Sequence, residues 1–147
     1  PPIRFIYPFW DEDYKREVFA GCDERDADLG RLAKQEMYDL FASTLLAVSI
    51  PQSDSSPRTV YEAIFAGACV AVPQGPWVDA LPACMRARVV IVDLADDRWL
   101  ERAIERARIV TRDAYVPSQQ ALDTFDQTRS MKRVCGRFYD PAAWTAA

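Results

Sequence analysis

The sequence predicts an α/β fold: an open, mostly parallel sheet with helices on both faces. Two observations carry this. Short β-rich apolar runs at 45–50, 69–72 and 88–92 alternate with segments of helical period. The run Leu45–Ile50 is nearly continuous apolar sequence closed by Pro51, the pattern of a strand covered on both faces. Half of the 147 residues are hydrophobic, which supplies a core for a single domain without disulfides or metal.

Taken in order, Ile3–Tyr7 reads as a short strand ended by Pro8, and Asp11–Ala20 as a brief helix leading into the polar stretch Gly21–Asp28. Asp28 reads as the N-cap of an amphipathic helix with Leu29, Leu32, Ala33, Met37, Leu40 and Phe41 on one face. After the Leu45–Ile50 strand and a polar loop, Ser56 and Pro57 predict an N-cap and an N1 proline for a helix running to about Gly67. Cys69–Val72 and Arg88–Val92 are further strands, separated by a loop and a short helical stretch around Trp77, Leu81 and Pro82. Asp96 is expected to cap a helix with Trp99, Leu100, Ala103, Ile104 and Ala107 inward and Arg98, Glu101, Arg102 and Glu105 solvated. A last helix is expected from Pro117 or Ser118 through Val134, followed by an aromatic, alanine-rich tail. No repeat and no linker divides the chain, so 1–147 reads as one domain.

Composition excludes several classes of chemistry. The chain contains no histidine, so it cannot assemble a Ser-His-Asp triad, a Cys-His dyad or a histidine-ligated metal. Eighteen basic residues against twenty-two acidic ones give a net charge of −4, the wrong sign for general binding to a nucleic-acid backbone. The longest uncharged apolar-rich run, Ser43–Ile50, is far too short to span a bilayer, so no transmembrane segment is expected. Cys22, Cys69, Cys84 and Cys135 lack the paired spacings of zinc or redox motifs and read as reduced thiols of a cytosolic protein. The opening Pro1-Pro2-Ile3 shows no initiator methionine and no secretory pattern, so the chain reads as part of something longer.

The segment Ser53 to Glu62 runs from the end of an expected central strand into a helix, where open α/β sheets bind their ligands. Asp54 lies in the loop, and Glu62 follows after seven intervening residues, in the second turn of the helix. Amides around Ser55–Thr59 would be the unpaired donors of a helix N-terminus, and the hydroxyls of Ser55, Ser56 and Thr59 add to them, so a phosphate could dock there. Plainer readings stand beside these. Asp54 would serve as a turn residue, Glu62 as a solvated early-helix glutamate, and Arg58 as a surface cation.

Leu45–Val72, LLAVSIPQSDSSPRTVYEAIFAGACVAV, resembles the carboxyl-terminal, nucleotide-sugar-binding half of retaining GT-B glycosyltransferases of the family 4 type. The resemblance lies in the strand end Ile50-Pro51, the loop Ser53–Pro57, the pair Glu62-Ala63 and Gly67 ahead of the next strand. It implies a truncated, Rossmann-like GT-B half that binds a nucleotide-diphosphate sugar and serves polysaccharide or glycolipid synthesis. The glycan or lipid-linked acceptor would be held by an amino-terminal domain absent from this sequence. Glu62 would accept hydrogen bonds from the ribose hydroxyls, and the loop amides near Ser55 and Ser56 would approach the diphosphate. Asp54, one methylene shorter than the family's usual glutamate, would contact the sugar, and Arg58 would be a phosphate partner. No cofactor or metal is implied, since the nucleotide-sugar is itself the substrate. Localisation would be cytoplasmic, with peripheral attachment of the full-length protein to the inner membrane left open.

Two alternatives remain at this stage. An exostosin-like transferase has a similar Arg, Glu-Ala and Gly pattern, with Arg and Glu one residue closer than Arg58 and Glu62. A non-enzymatic α/β interaction or regulatory domain would use the serine-rich loop only as a turn. In all these readings Trp10, Trp77 and Trp99 are either core residues or stacking surfaces for a base.

Overall fold

The computed structural model describes residues 1–6, 11–51, 57–129 and 131–132. Asp54, Ser55 and Ser56, together with Trp10, Cys135, Val134 and the aromatic tail, lie outside the described residues. The chain divides into two compact units, Pro1–Met37 and Tyr38–Ala147. Both are built from parallel strands and helices.

In the first unit, β1 (Arg4–Phe5) pairs in parallel with β2 (Ala27–Asp28) across the crossover helix α1 (Glu12–Ala20). Asp11 caps α1 by accepting from the amides of Asp13 and Tyr14. Phe19 of α1 packs its ring 5.0 Å from that of Phe5, and Lys15 reaches the Asp28 carboxylate at 2.8 Å. Asp28 is thus a strand residue and not the helix cap that its type suggested. Its side chain accepts from the Gly30 amide, and Gly30 turns the chain at φ +56°. The helix α2 (Lys34–Ala42) starts later than expected, where Glu36 reaches back to the Ala33 amide at 2.8 Å, one half of a capping box.

The second unit holds a three-stranded, all-parallel sheet in the order β3 (Leu46–Val48), β4 (Cys69–Val72), β5 (Val89–Ile91). Leu46 aligns with Cys69, and Val70 with Val89. The strand buried on both faces is β4, all four of whose residues are buried. The apolar run Leu45–Ile50, expected in that role, instead supplies an edge strand, and Val48 is 48% exposed. An unbroken apolar run reports hydrophobicity without reporting which neighbours arrive.

Parallel strands need long crossovers, and each one here is helical. Between β3 and β4 lies α3 (Arg58–Phe65), which buries Val60, Ala63 and Ile64. Pro57 occupies its N-cap and not N1, and its carbonyl accepts from the amides of Val60 and Tyr61. At the other end Gly67 takes φ +102°, a backbone that favours glycine, while the Ala68 amide bonds to Ala63 and the Gly67 amide to Ile64. That pair of bonds is a Schellman cap, and it turns the chain directly into β4. Between β4 and β5 lie two single turns, α4 (Pro76–Asp79) and α5 (Ala83–Arg86).

The helix α6 (Trp99–Val110) covers the Ala71 side of the sheet, where Ala103, Val92, Leu46, Val90 and Trp99 gather. Ala103 and Ala107 are fully buried, but Leu100, expected on the same face, is exposed. The inward stripe runs through 99, 103 and 107, at four-residue spacing, and Leu100 falls beside it. Asp96 lies two residues ahead of the N-cap, Arg98, accepting from the Arg98 amide and pairing with Arg102. The last helix is shorter than expected: α7 (Gln119–Phe125), capped by Ser118, stops at Asp126. Asp126 adopts extended backbone and accepts from the Arg129 amide, and helical backbone resumes over 127–129.

Arg88 is the one buried charged residue among those described, at 6% exposure. Its guanidinium donates to the carbonyls of Gly67 and Asp113 and lies 5.5 Å from the Tyr115 ring centroid. Arg88→Ala would leave both carbonyls without their partner, and the expected cost is about 2 to 3 kcal/mol. Urea unfolding should show a clearly lower midpoint for the variant. An unchanged midpoint would show that the guanidinium contributes nothing to the fold.

Candidate functional site

A cleft of about 270 Å³ opens at the carboxyl ends of β3 and β4, against the first turn of α3. Ser49 and Pro51 follow β3, Pro57 and Val60 come from the start of α3, and Val72 to Trp77 form the remaining wall. The position follows from the topology, because β3 and β4 must each leave the sheet here to enter a helical crossover. Val72 is both buried and part of the cleft lining. Of the tryptophans, Trp99 packs into the core cluster, whereas Trp77 lines the cleft with its ring edge-on to Tyr61 at 5.8 Å.

Among the described residues the lining is proline-rich and carries no charged side chain. Pro51, Pro57, Pro73, Pro76 and Trp77 supply rigid ring surfaces, and Ser49, Gln74 and the indole N–H of Trp77 are polar groups among them. Gln74 donates to the Asp79 carboxylate at 3.2 Å, which fixes the amide at the rim. Sequence reasoning singled out Trp77 but passed over Ser49, Pro73 and Gln74. The available signal was positional: the residues immediately after two adjacent parallel strands.

Three of the expected site residues lie on α3. Arg58 and Thr59 occupy its exposed first turn, where amides have no intrahelical acceptor. Glu62 stands in the second turn, half-buried, and does not line the cleft. Its Oε1 accepts a hydrogen bond from the Tyr38 hydroxyl at 3.1 Å, tying α3 to α2. The helix repeat explains this, since Val60, Ala63 and Ile64 turn to the core and Glu62 falls on the far side. The remaining expected residues, Asp54, Ser55 and Ser56, lie outside the described residues.

Among the described residues, no group of three or more Cys, Asp or Glu is placed to hold a metal ion, and no helix is long and apolar enough to cross a membrane. Comparison with protein-family models, with curated proteins and with solved structures finds no match to this chain.

The cysteines differ in their surroundings. Burial raises the thiol of Cys69, and burial together with Asp26 and Asp23 raises that of Cys22. At Cys84 burial also pushes upward, but hydrogen bonds with Ser118, Tyr115 and the Met85 backbone outweigh it, and the thiol falls below the ordinary cysteine value. The Ser118 hydroxyl lies 3.3 Å from its sulfur. The thiolate of Cys84 therefore forms at lower pH than that of Cys22. Peptide-resolved alkylation with iodoacetamide should show Cys84 gaining reactivity at a pH below that of Cys22, and the reverse order would refute this.

Proposed function

We propose that this chain is the donor-binding part of a retaining glycosyltransferase, with a Rossmann-like, GT-B-type architecture, acting on a glycan or lipid-linked acceptor. The observation that carries the reading is the cleft at the carboxyl ends of two parallel strands, adjoining the leading turn of α3. The resemblance of Leu45–Val72 to the donor half of that family supplies the chemistry.

In a retaining transfer the bond between the anomeric carbon and the diphosphate breaks. Positive charge grows on the sugar and negative charge on the leaving group. The amides of Arg58 and Thr59 and the Arg58 side chain suit the diphosphate, because fixed donors directed at a developing anion stabilise it without reorganisation. Asp54 in the preceding loop would hold the sugar hydroxyls, with Ser55 and Ser56 beside the phosphates. Glu62 would accept from the ribose hydroxyls, each charged hydrogen bond contributing about 1.5 to 3 kcal/mol. This asks the nucleotide to extend from the cleft across the first turn of α3 to Glu62 in the second, one oxygen of which accepts from Tyr38.

One observation favours a second reading. The Tyr38–Glu62 bond gives the carboxylate a structural duty as an interhelical tie, which suits a non-enzymatic α/β interaction domain equally well.

Calorimetric titration with UDP and GDP separates the two. The donor-binding reading expects binding by the wild type and at least a tenfold loss in Glu62→Ala. Equal binding by wild type and variant would remove Glu62 from the site, and no binding by either would leave the interaction domain.

A further inference from the structure

The hydrogen bond between Tyr38 and Glu62 occupies one part of a carboxylate and leaves the rest open. A tyrosine hydroxyl has a single proton to donate, and here it goes to Glu62 Oε1 at 3.1 Å. A carboxylate offers about four acceptor positions on its two oxygens, so about three remain. Among the described residues no other side chain takes them. Arg58 stands one turn earlier on the same face of α3, yet it forms no ion pair with Glu62. The open acceptors therefore share one strip of helix with an exposed cation.

We infer that Tyr38 is a positioning residue: its hydroxyl fixes the Glu62 carboxylate so that the second oxygen stands ready for the ribose hydroxyls of a bound nucleotide. The assignment rests on the donor-binding reading and adds to it the group that orders its acidic residue. A glutamate side chain turns about several bonds, and a ligand that must itself immobilise it loses affinity to that ordering. Tyr38 supplies the order before a ligand arrives. Tyr38 and Phe41, three residues apart, share a face of α2, and Phe41 is buried, so the helix that carries the hydroxyl is anchored in the core. Both Tyr38 and Glu62 are half-buried, which shields their bond from competing water.

An interhelical tie and a positioning contact differ in what they are coupled to. A tie contributes to folding alone, so its loss weakens every ligand alike or none. A positioning contact acts through the ribose hydroxyls, so its loss is felt only by ligands that carry them. Unfolding midpoints do not separate the two, because removing the hydroxyl loosens α2 from α3 in either case.

The test compares the full chain with Tyr38→Phe, which keeps the ring and removes the hydroxyl. UDP and GDP are titrated by calorimetry, and their 2′,3′-dideoxy counterparts, which lack both ribose hydroxyls, by competition against them. For the nucleotide that binds, Tyr38→Phe should lower affinity about three- to tenfold, the scale of ordering one long side chain. Affinity for its dideoxy counterpart should be unchanged. Circular dichroism verifies folding. Should the variant fail to fold, wild-type protein with an NMR label on the tyrosine carbon that bears the hydroxyl decides: the Tyr38 resonance should move with the ribonucleotide and hold still with the dideoxy form, and any other pattern counts against the assignment. Undiminished affinity in folded Tyr38→Phe, or the same loss for both nucleotides, overturns it, and the donor-binding reading then stands on the loss of binding in Glu62→Ala. If neither UDP nor GDP binds the wild type, both fall together.

Discussion

The complete burial of β4 is the constraint on which the second unit depends. Four consecutive residues, Cys69 to Val72, are hidden on both faces, and the strand is hydrogen-bonded to a neighbour on each side. Ala71 against Ala103 lets α6 approach closely on one side, while Val70 and Val72 are equally buried on the other. The entry to this strand is fixed twice, by the Schellman turn at Gly67 and by Arg88, whose guanidinium takes the Gly67 carbonyl. A strand held so firmly has one direction in which to release its chain. Pro73, Gln74 and Gly75 leave the sheet together with the exit from β3, and the cleft is the space between the two departures.

The geometry also divides the chemistry. The Arg58 cation and leading amides without an intrahelical acceptor belong to the first turn of α3, and among the described residues neutral rings belong to the cleft beside it. An elongated ligand with a charged middle and an uncharged end is the kind of molecule that uses both. Glu62 is the residue on which enzymatic and structural accounts part, because one side chain cannot be assigned to ribose and to Tyr38 without asking what each oxygen does.

Much of this layout was legible in the sequence. The alternation of apolar runs with helical periods placed β4 and α6 closely, and Gly67 marked the end of α3 because a cap of that geometry needs glycine. Three features were misread for definite reasons. Asp28 has the side chain of a good cap, but partnering by β1 and Lys15 draws it into a strand. Leu45–Ile50 is a longer apolar run than β4, yet pairing on one side leaves it at the edge of its sheet. Asp126 interrupts a helical pattern that local periodicity had carried through, because its carboxylate caps the next turn. Of the site, the segment from Arg58 to Glu62 was found by position and residue type. The cleft residues Ser49, Pro73 and Gln74 carried no signal until the strands were set side by side.

The central claim is that a nucleotide occupies the carboxyl end of β3 and β4. Amide and indole chemical-shift mapping by NMR, with UDP and GDP added to labelled protein, tests it most directly. The account predicts that perturbations concentrate on Ser49, Val72, Gln74, Gly75 and the Trp77 indole, and continue to Arg58 and Thr59. Shifts confined to other surfaces, or none at saturating nucleotide, would contradict it.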